Sequence, residues 1–224
     1  LSTINYPKAM KKILVINASA NTKNSVSRSL SDTFIEYWKM TGFAHQIQYR
    51  DFSESEISHI DQMWIDANLK SPENRSENER EMLKWSDIYI KELHDADIIV
   101  LASPMYNWSI PSTLKAYIDN IMRFNETFTR NLQRGDQPYR GLLENKSLIL
   151  LLSRGSQGYE KGERNAHMNF QSSYLKMVFG IMGIHDVDEL AINGTSRESN
   201  DLTEEILNVR EQLRTLINQK LSLS

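Results

Sequence analysis

The sequence has no cysteine. That excludes disulfides, thiolate nucleophiles and cysteine-ligated zinc or iron–sulfur clusters. It also has no uninterrupted apolar run near the roughly 20 residues that span a bilayer, and no signal-peptide core at its N-terminus. A cytoplasmic protein with no membrane partner is the resulting expectation. Nor does one sign of charge prevail: 26 Lys and Arg stand against 29 Asp and Glu, for a formal net charge of -3. Such a balance offers no broad attraction to nucleic acid or to an anionic membrane surface.

Missing motifs narrow the chemistry further. There is no G-x-x-x-x-G-K-[ST] phosphate loop and no G-x-G-x-x-G dinucleotide fingerprint. Ser156 lies in G-S-Q-G rather than in the G-x-S-x-G of a hydrolase nucleophile elbow. The histidines, His45, His59, His94, His167 and His185, are scattered and make no metal-ligand spacing of the H-E-x-x-H kind. A P-loop kinase, a Rossmann dehydrogenase, an α/β-hydrolase and a histidine-bound metal enzyme are all disfavoured.

What is present is an ordinary globular composition, with 40% hydrophobic and 25% charged residues over 224 positions. Short β-branched runs alternate with segments of helical period, the pattern of parallel βαβ units. KILVIN (12–17), HQIQYRDF (45–52), DIIVLAS (97–103), SLILLLS (147–153) and VDELAI (187–192) read as strands. The third and fourth are the most apolar, as suits strands covered on both faces, and the second is polar enough for an edge. Val26, Leu30, Phe34 and Trp38 predict a helix ended by Gly42, and Pro111 is placed to open another. Five strands and five helices in strict alternation make a doubly wound α/β domain, with a five-stranded parallel sheet in the order 2-1-3-4-5 and helices on both faces. Residues 1–10 are read as an N-terminal extension, not necessarily native, and residues 11–224 as a single domain. Two connections, at about 53–77 and 124–145, are too long for turns and read as inserts. Met63, Trp64 and Ile65 in the first need something apolar to cover them.

In a sheet of this order, ligands bind beyond the carboxyl ends of the strands, where the order reverses between the first and third. The loop after the first strand is rich in Ser, Thr and Asn and runs into a helix, which suits either a phosphate or plain N-capping by Asn24 or Ser25. After the third strand come Met105, Tyr106, Asn107 and Trp108, able to wall a flat heteroaromatic ring or to pack over a helix end. After the fourth, Gly155 and Gly158 allow close backbone approach to a ligand, or a tight turn.

Taken together, NASANTKNSVS (17–27), SPMYNWSIPSTLKAYID (103–119) and SRGS (153–156) resemble the FMN-dependent NADH azoreductases, a flavodoxin-like group of quinone reductases. The resemblance implies that Ser19, Ser25, Val26 and Ser27 hold the FMN phosphate. It implies that Pro104, Met105, Tyr106, Asn107 and Trp108 line the isoalloxazine, and that Ser153, Arg154, Gly155 and Ser156 approach its pyrimidine edge. No catalytic side chain and no metal is implied, because FMN carries the chemistry. The implied reaction is ping-pong hydride transfer from NADH or NADPH to a quinone or azo acceptor, in a homodimer. Trp108 stands where Phe is more usual, and Ser156 where a second glycine is common. Two other readings are a flavin electron carrier and, less favoured, a hydrolase of the acyl-carrier-protein phosphodiesterase type.

Overall fold

A computed structural model describes residues 10–54, 56–130, 138–196 and 200–222. Residues 1–9 of the N-terminal extension lie outside the described residues. Five strands, β1 (Lys11–Asn17), β2 (His45–Asp51), β3 (Ile98–Pro104), β6 (Ser147–Arg154) and β7 (Asp186–Asn193), form one parallel sheet in the order β2-β1-β3-β6-β7. Counted along the chain, this is the expected 2-1-3-4-5. The registers align the carboxyl ends: Asn17 pairs with Ala102 and Pro104 with Ser153.

Alternation along each strand sends side chains into two cores. Leu14, Ile16, Ile99, Leu101, Leu148, Leu150 and Leu152 pack on one face with Leu93, Leu114, Ile118, Leu175 and Phe179. These partners come from α3 (Glu77–Asp95), α4 (Ser112–Ile121) and α5 (Ser172–Ile181). On the other face Ile13, Val15, Val100, Ile149 and Leu151 meet Leu30, Phe34 and Trp38 of α1 (Val26–Met40) and Val209, Leu213 and Ile217 of α6 (Asn200–Ser222). Burial on both faces is why β3 and β6 read as continuous apolar runs.

The local signals act as their chemistry dictates. The α1 helix starts at Ser25, whose side chain accepts from the Arg28 N–H, and stops before Gly42, at φ 71°. A capping box of Ser76 and Glu79 starts α3.

The structure corrects the expected count of helices, with six α-helices among the described residues. Residues 53–77 carry α2 (Gln62–Leu69), capped by Asp61. Within it Trp64, 7% exposed, is covered by Leu83, whereas Met63 and Ile65 stay exposed. Arg123, fully buried, anchors this insert by donating to Asn68 Oδ1 at 2.7 Å, to Ser86 Oγ at 3.1 Å and to Asp87. Residues 124–145 carry an antiparallel pair, β4 (Phe128–Arg130) and β5 (Tyr139–Gly141). The pair seats on the turn between α5 and β7, where the main chains of Gly141 and Gly183 lie so close that a Cβ on Gly141 would collide with Gly183. Gly183 also has φ 104°, a conformation that side chains rarely adopt.

Candidate functional site

At the carboxyl ends of β1, β3 and β6, the three loops singled out by sequence come together. The first is built largely from its own hydrogen bonds. Asn21 Oδ1 accepts from the N–H groups of Lys23 and Asn24, both at 3.0 Å, and Ser19 Oγ accepts from Asn21 N–H at 3.2 Å. Ser19 and Ser27 are buried, and the hydroxyls of Ser25 and Ser27 lie 3.2 Å apart. The Val26 and Ser27 N–H groups open α1, where no intrahelical acceptor exists. Hydroxyls beside a helix N-terminus, with its partial positive charge, make an arrangement that a terminal phosphate fits.

A buttress stands behind this loop. Arg28 donates to the Ser19 carbonyl at 3.1 Å and to Ser53 Oγ at 3.3 Å, and pairs with both carboxylate oxygens of Asp51 at the end of β2. Burial works against ionisation of Asp51, but hydrogen bonds from Arg28 and Ser53 outweigh it and hold the carboxyl below its usual range.

The loop after β3 answers to different physics. Tyr106 and Ser109 exchange two backbone hydrogen bonds, each 3.0 Å, across Asn107 at φ 47° and Trp108 at φ 65°. Two positive φ angles in a two-residue loop define a type I′ turn. Left-handed backbone costs a residue with a Cβ roughly 1–2 kcal/mol, and Asn tolerates it better than Trp. The turn holds Tyr106, 37% exposed, and Trp108, 50% exposed, at the surface. Met105 N–H donates to the Ser153 carbonyl at 2.7 Å and joins this loop to the third.

In the third loop the side chain of Arg154 is fully buried. It donates to Glu160 at 2.6 Å, Glu189 at 2.8 Å and Gln171 at 3.1 Å. The carbonyls that follow are occupied: Arg154 O accepts from Thr195 N–H, Gly155 O from Ser196 N–H and Oγ, and Ser156 O from Gly194 N–H. With those carbonyls engaged, the main chain of this loop turns chiefly N–H donors to a ligand.

Sequence reasoning missed the stretch before α5. Phe170, 59% exposed, donates its N–H to the Trp108 carbonyl at 3.1 Å. The Gln171 side chain donates to the Ser103 carbonyl at 3.1 Å. A large aromatic directly before a helix, in N-F-Q-S-S, is the one signal that could have marked it.

Away from the site, a cavity of about 430 Å³ lies at the amino ends of the strands, lined in part by Lys146, Asp186 and Lys220. Two of its cations are engaged: Lys220 with Asp186 and Asp188, and Lys146 with the carbonyls of His94 and Ala96. Among the described residues no three His, Asp or Glu side chains are grouped to hold a metal ion.

Comparison with known proteins agrees with the architecture. Residues 11–217 match a family described as having a flavodoxin-like fold. The chain is 40% identical over 185 residues to an FMN-dependent NADH:quinone oxidoreductase 2 of Pseudomonas putida, covering 83% of this chain and 88% of that protein. It is 35% identical over 214 residues to an FMN-dependent NADH:quinone oxidoreductase 3 of Pseudomonas aeruginosa, covering 96% of each. An azoreductase structure from Bacillus anthracis superposes with a TM-score of 0.83 at 23% identity, over 94% of this chain and all of that one. An FMN-dependent NADH-azoreductase structure from the same species, solved in complex with FMN, gives 0.82 at 24% identity, over 94% of this chain and 99% of that one. The chain belongs to the flavodoxin-like fold family and, within it, to the FMN-dependent NADH:quinone oxidoreductases.

Proposed function

We propose that residues 11–224 act as one FMN-binding domain that takes electrons from NADH, or NADPH, and reduces quinones and azo compounds. The observation that carries this reading is the convergence of three unlike loops at the point where strand order reverses. A hydroxyl-lined helix start, an aromatic-bearing turn and a loop whose main-chain carbonyls are engaged match in turn the phosphate, the ring and the acceptor-rich edge of a flavin. Ser19, Ser25, Val26 and Ser27 hold the phosphate through hydroxyls and N–H groups. Pro104, Met105, Tyr106, Asn107 and Trp108 lie along the isoalloxazine. Ser153, Arg154, Gly155 and Ser156 meet its pyrimidine edge. Arg154 contributes main chain there, because its guanidinium is committed to Glu160, Glu189 and Gln171.

FMN, when bound, supplies the hydride and electron chemistry. The residues bind it, orient it and stabilise charge: N–H donors of Gly155 and Ser156 favour the negative charge that collects at the pyrimidine edge on reduction. Trp108 and Tyr106 offer aromatic faces for stacking a flat acceptor. We also propose a homodimer in the cytoplasm. Exposed Phe124, Tyr139 and Phe170 support the dimer, as apolar surface that a second copy can cover. No helix among the described residues is long and apolar enough to cross a membrane.

The test is an absorbance spectrum of the purified protein after FMN reconstitution and desalting, repeated anaerobically with excess NADH or NADPH. Retained flavin bands that bleach with a nicotinamide donor are expected. Bands that persist with both donors would mean an electron carrier, and absence of bound flavin would sink the cofactor assignment.

A further inference from the structure

Between the β3 loop and the β6 loop lies the short stretch before α5, and its centre is Gln171. This side chain is fully buried, and both ends of its amide are used. Oε1 accepts from Arg154 Nε at 3.1 Å, and Nε2 donates to the Ser103 carbonyl at 3.1 Å. A guanidinium can only donate, so Arg154 dictates which end of the amide faces it and thereby aims the Nε2 donor at β3. Arg154 is itself fixed by Glu160 and Glu189. On one side of Gln171, Phe170 N–H donates to the Trp108 carbonyl. Asn169 Oδ1 accepts from the N–H groups of Gln171 and Ser172, at 3.3 and 3.1 Å. The stretch therefore grips this region at three points: Ser103 ahead of the strained turn, Trp108 within it, and Ser109, whose Oγ donates to the Phe170 carbonyl at 3.4 Å.

We infer that Gln171 is a positioning residue for the flavin site: the run of hydrogen bonds from Glu189 through Arg154 and Gln171 to the Ser103 carbonyl fixes the backbone that lies along the ring. The inference rests on the FMN assignment. A turn with two side-chain-bearing residues at positive φ persists only where its surroundings over-determine it, and this run supplies a constraint from outside the loop. Sites of this kind lose function when their support loosens by about 1 Å.

The test uses the full chain reconstituted with FMN, as wild type, Q171E and Q171M. Glutamate keeps an acceptor for Arg154 and loses the donor to Ser103, whereas methionine fills the volume and loses both. Q171E is expected to melt within about 3 °C of wild type. Its FMN Kd should rise about tenfold, the equivalent of one buried hydrogen bond, and its flavin absorption bands should be displaced. Q171M should weaken FMN at least as much and melt lower. If both variants bind FMN within about twofold of wild type and show its bands, the inference falls and the FMN assignment stands. If the loss of FMN affinity merely tracks the loss of melting temperature, with the bands unmoved, Gln171 is a packing residue and the inference also falls. A wild-type protein that retains no FMN overturns the assignment and the inference together.

Discussion

Arg123 and Arg154 are both fully buried, yet the regions around them are built differently. Around Arg123 the structure is a fastening. One cation reaches Asn68, Ser86 and Asp87, its Nη2 makes no hydrogen bond and lies 3.8 Å from Glu126 Oε1, and Asp87 is more than half exposed. Around Arg154 it is a frame: Gln171, Ser172, Glu160, Glu189 and Asn193 all accept from the guanidinium. Burial of a charge is costly in both places, and the return differs. Arg123 holds an insert against the body, whereas Arg154 sets the orientation of groups that face the site.

The sharpest way to break that contrast is to remove each cation in turn. Arg154→Leu should destabilise the protein by about 3–5 kcal/mol, because it leaves the buried Gln171 Oε1 without its donor and Glu189, largely buried, with Lys176 as its remaining cation. FMN retention should be lost with it. Urea denaturation and flavin absorbance read the two effects. Arg123→Leu should cost less, about 1–3 kcal/mol, since Asp87 can hydrate once released. Its FMN affinity should stay near wild type. Equal losses of FMN affinity in the two variants would abolish the distinction between fastening and frame.

A smaller effect of opposite sign sharpens the contrast. Trp108→Gly relieves a positive φ at a half-exposed side chain and should raise the stability of the flavin-free protein by roughly 1 kcal/mol. Reductase activity should fall at the same time, and a thermal melt beside a quinone assay shows both. Smallest is the Arg28–Asp51 pair, which braces the first loop from the sheet edge. The folded-state carboxyl of Asp51 ionises below its usual range, so this contribution is complete above the ordinary carboxylate value and is lost as pH falls through the lowered one. Asp51→Asn should flatten that acid limb by about 1 kcal/mol or less. A denaturation series across acidic pH that is identical in the variant and the wild type would refute it.

The legible parts of this protein are those governed by local rules. Five strands and their order follow from apolar runs separated by helical periods, because burial on both faces demands such runs. The three loops announced themselves through hydroxyls, aromatics and glycine at strand ends. Helix α2 did not, since eight residues give too little period to detect and its hold comes from Arg123, 55 positions from Asn68. Gln171 was invisible for the same reason: its partner, the Ser103 carbonyl, is 68 positions away. The inward course of the Arg154 side chain could have been read. It shares the period-2 face of Leu148, Leu150 and Leu152, which packs against α5.

The crossing of Gly141 and Gly183 bears on how this sequence is able to drift. Neither residue belongs to the proposed flavin site, so a site-centred view would leave both free to vary. The two main chains nevertheless leave no room for a methyl group on Gly141, and what would meet it is backbone that cannot rotate aside. A saturation scan should therefore find position 141 as intolerant as the loops of the proposed flavin site. It would mark where the β4–β5 pair is riveted to the body, not where electrons pass.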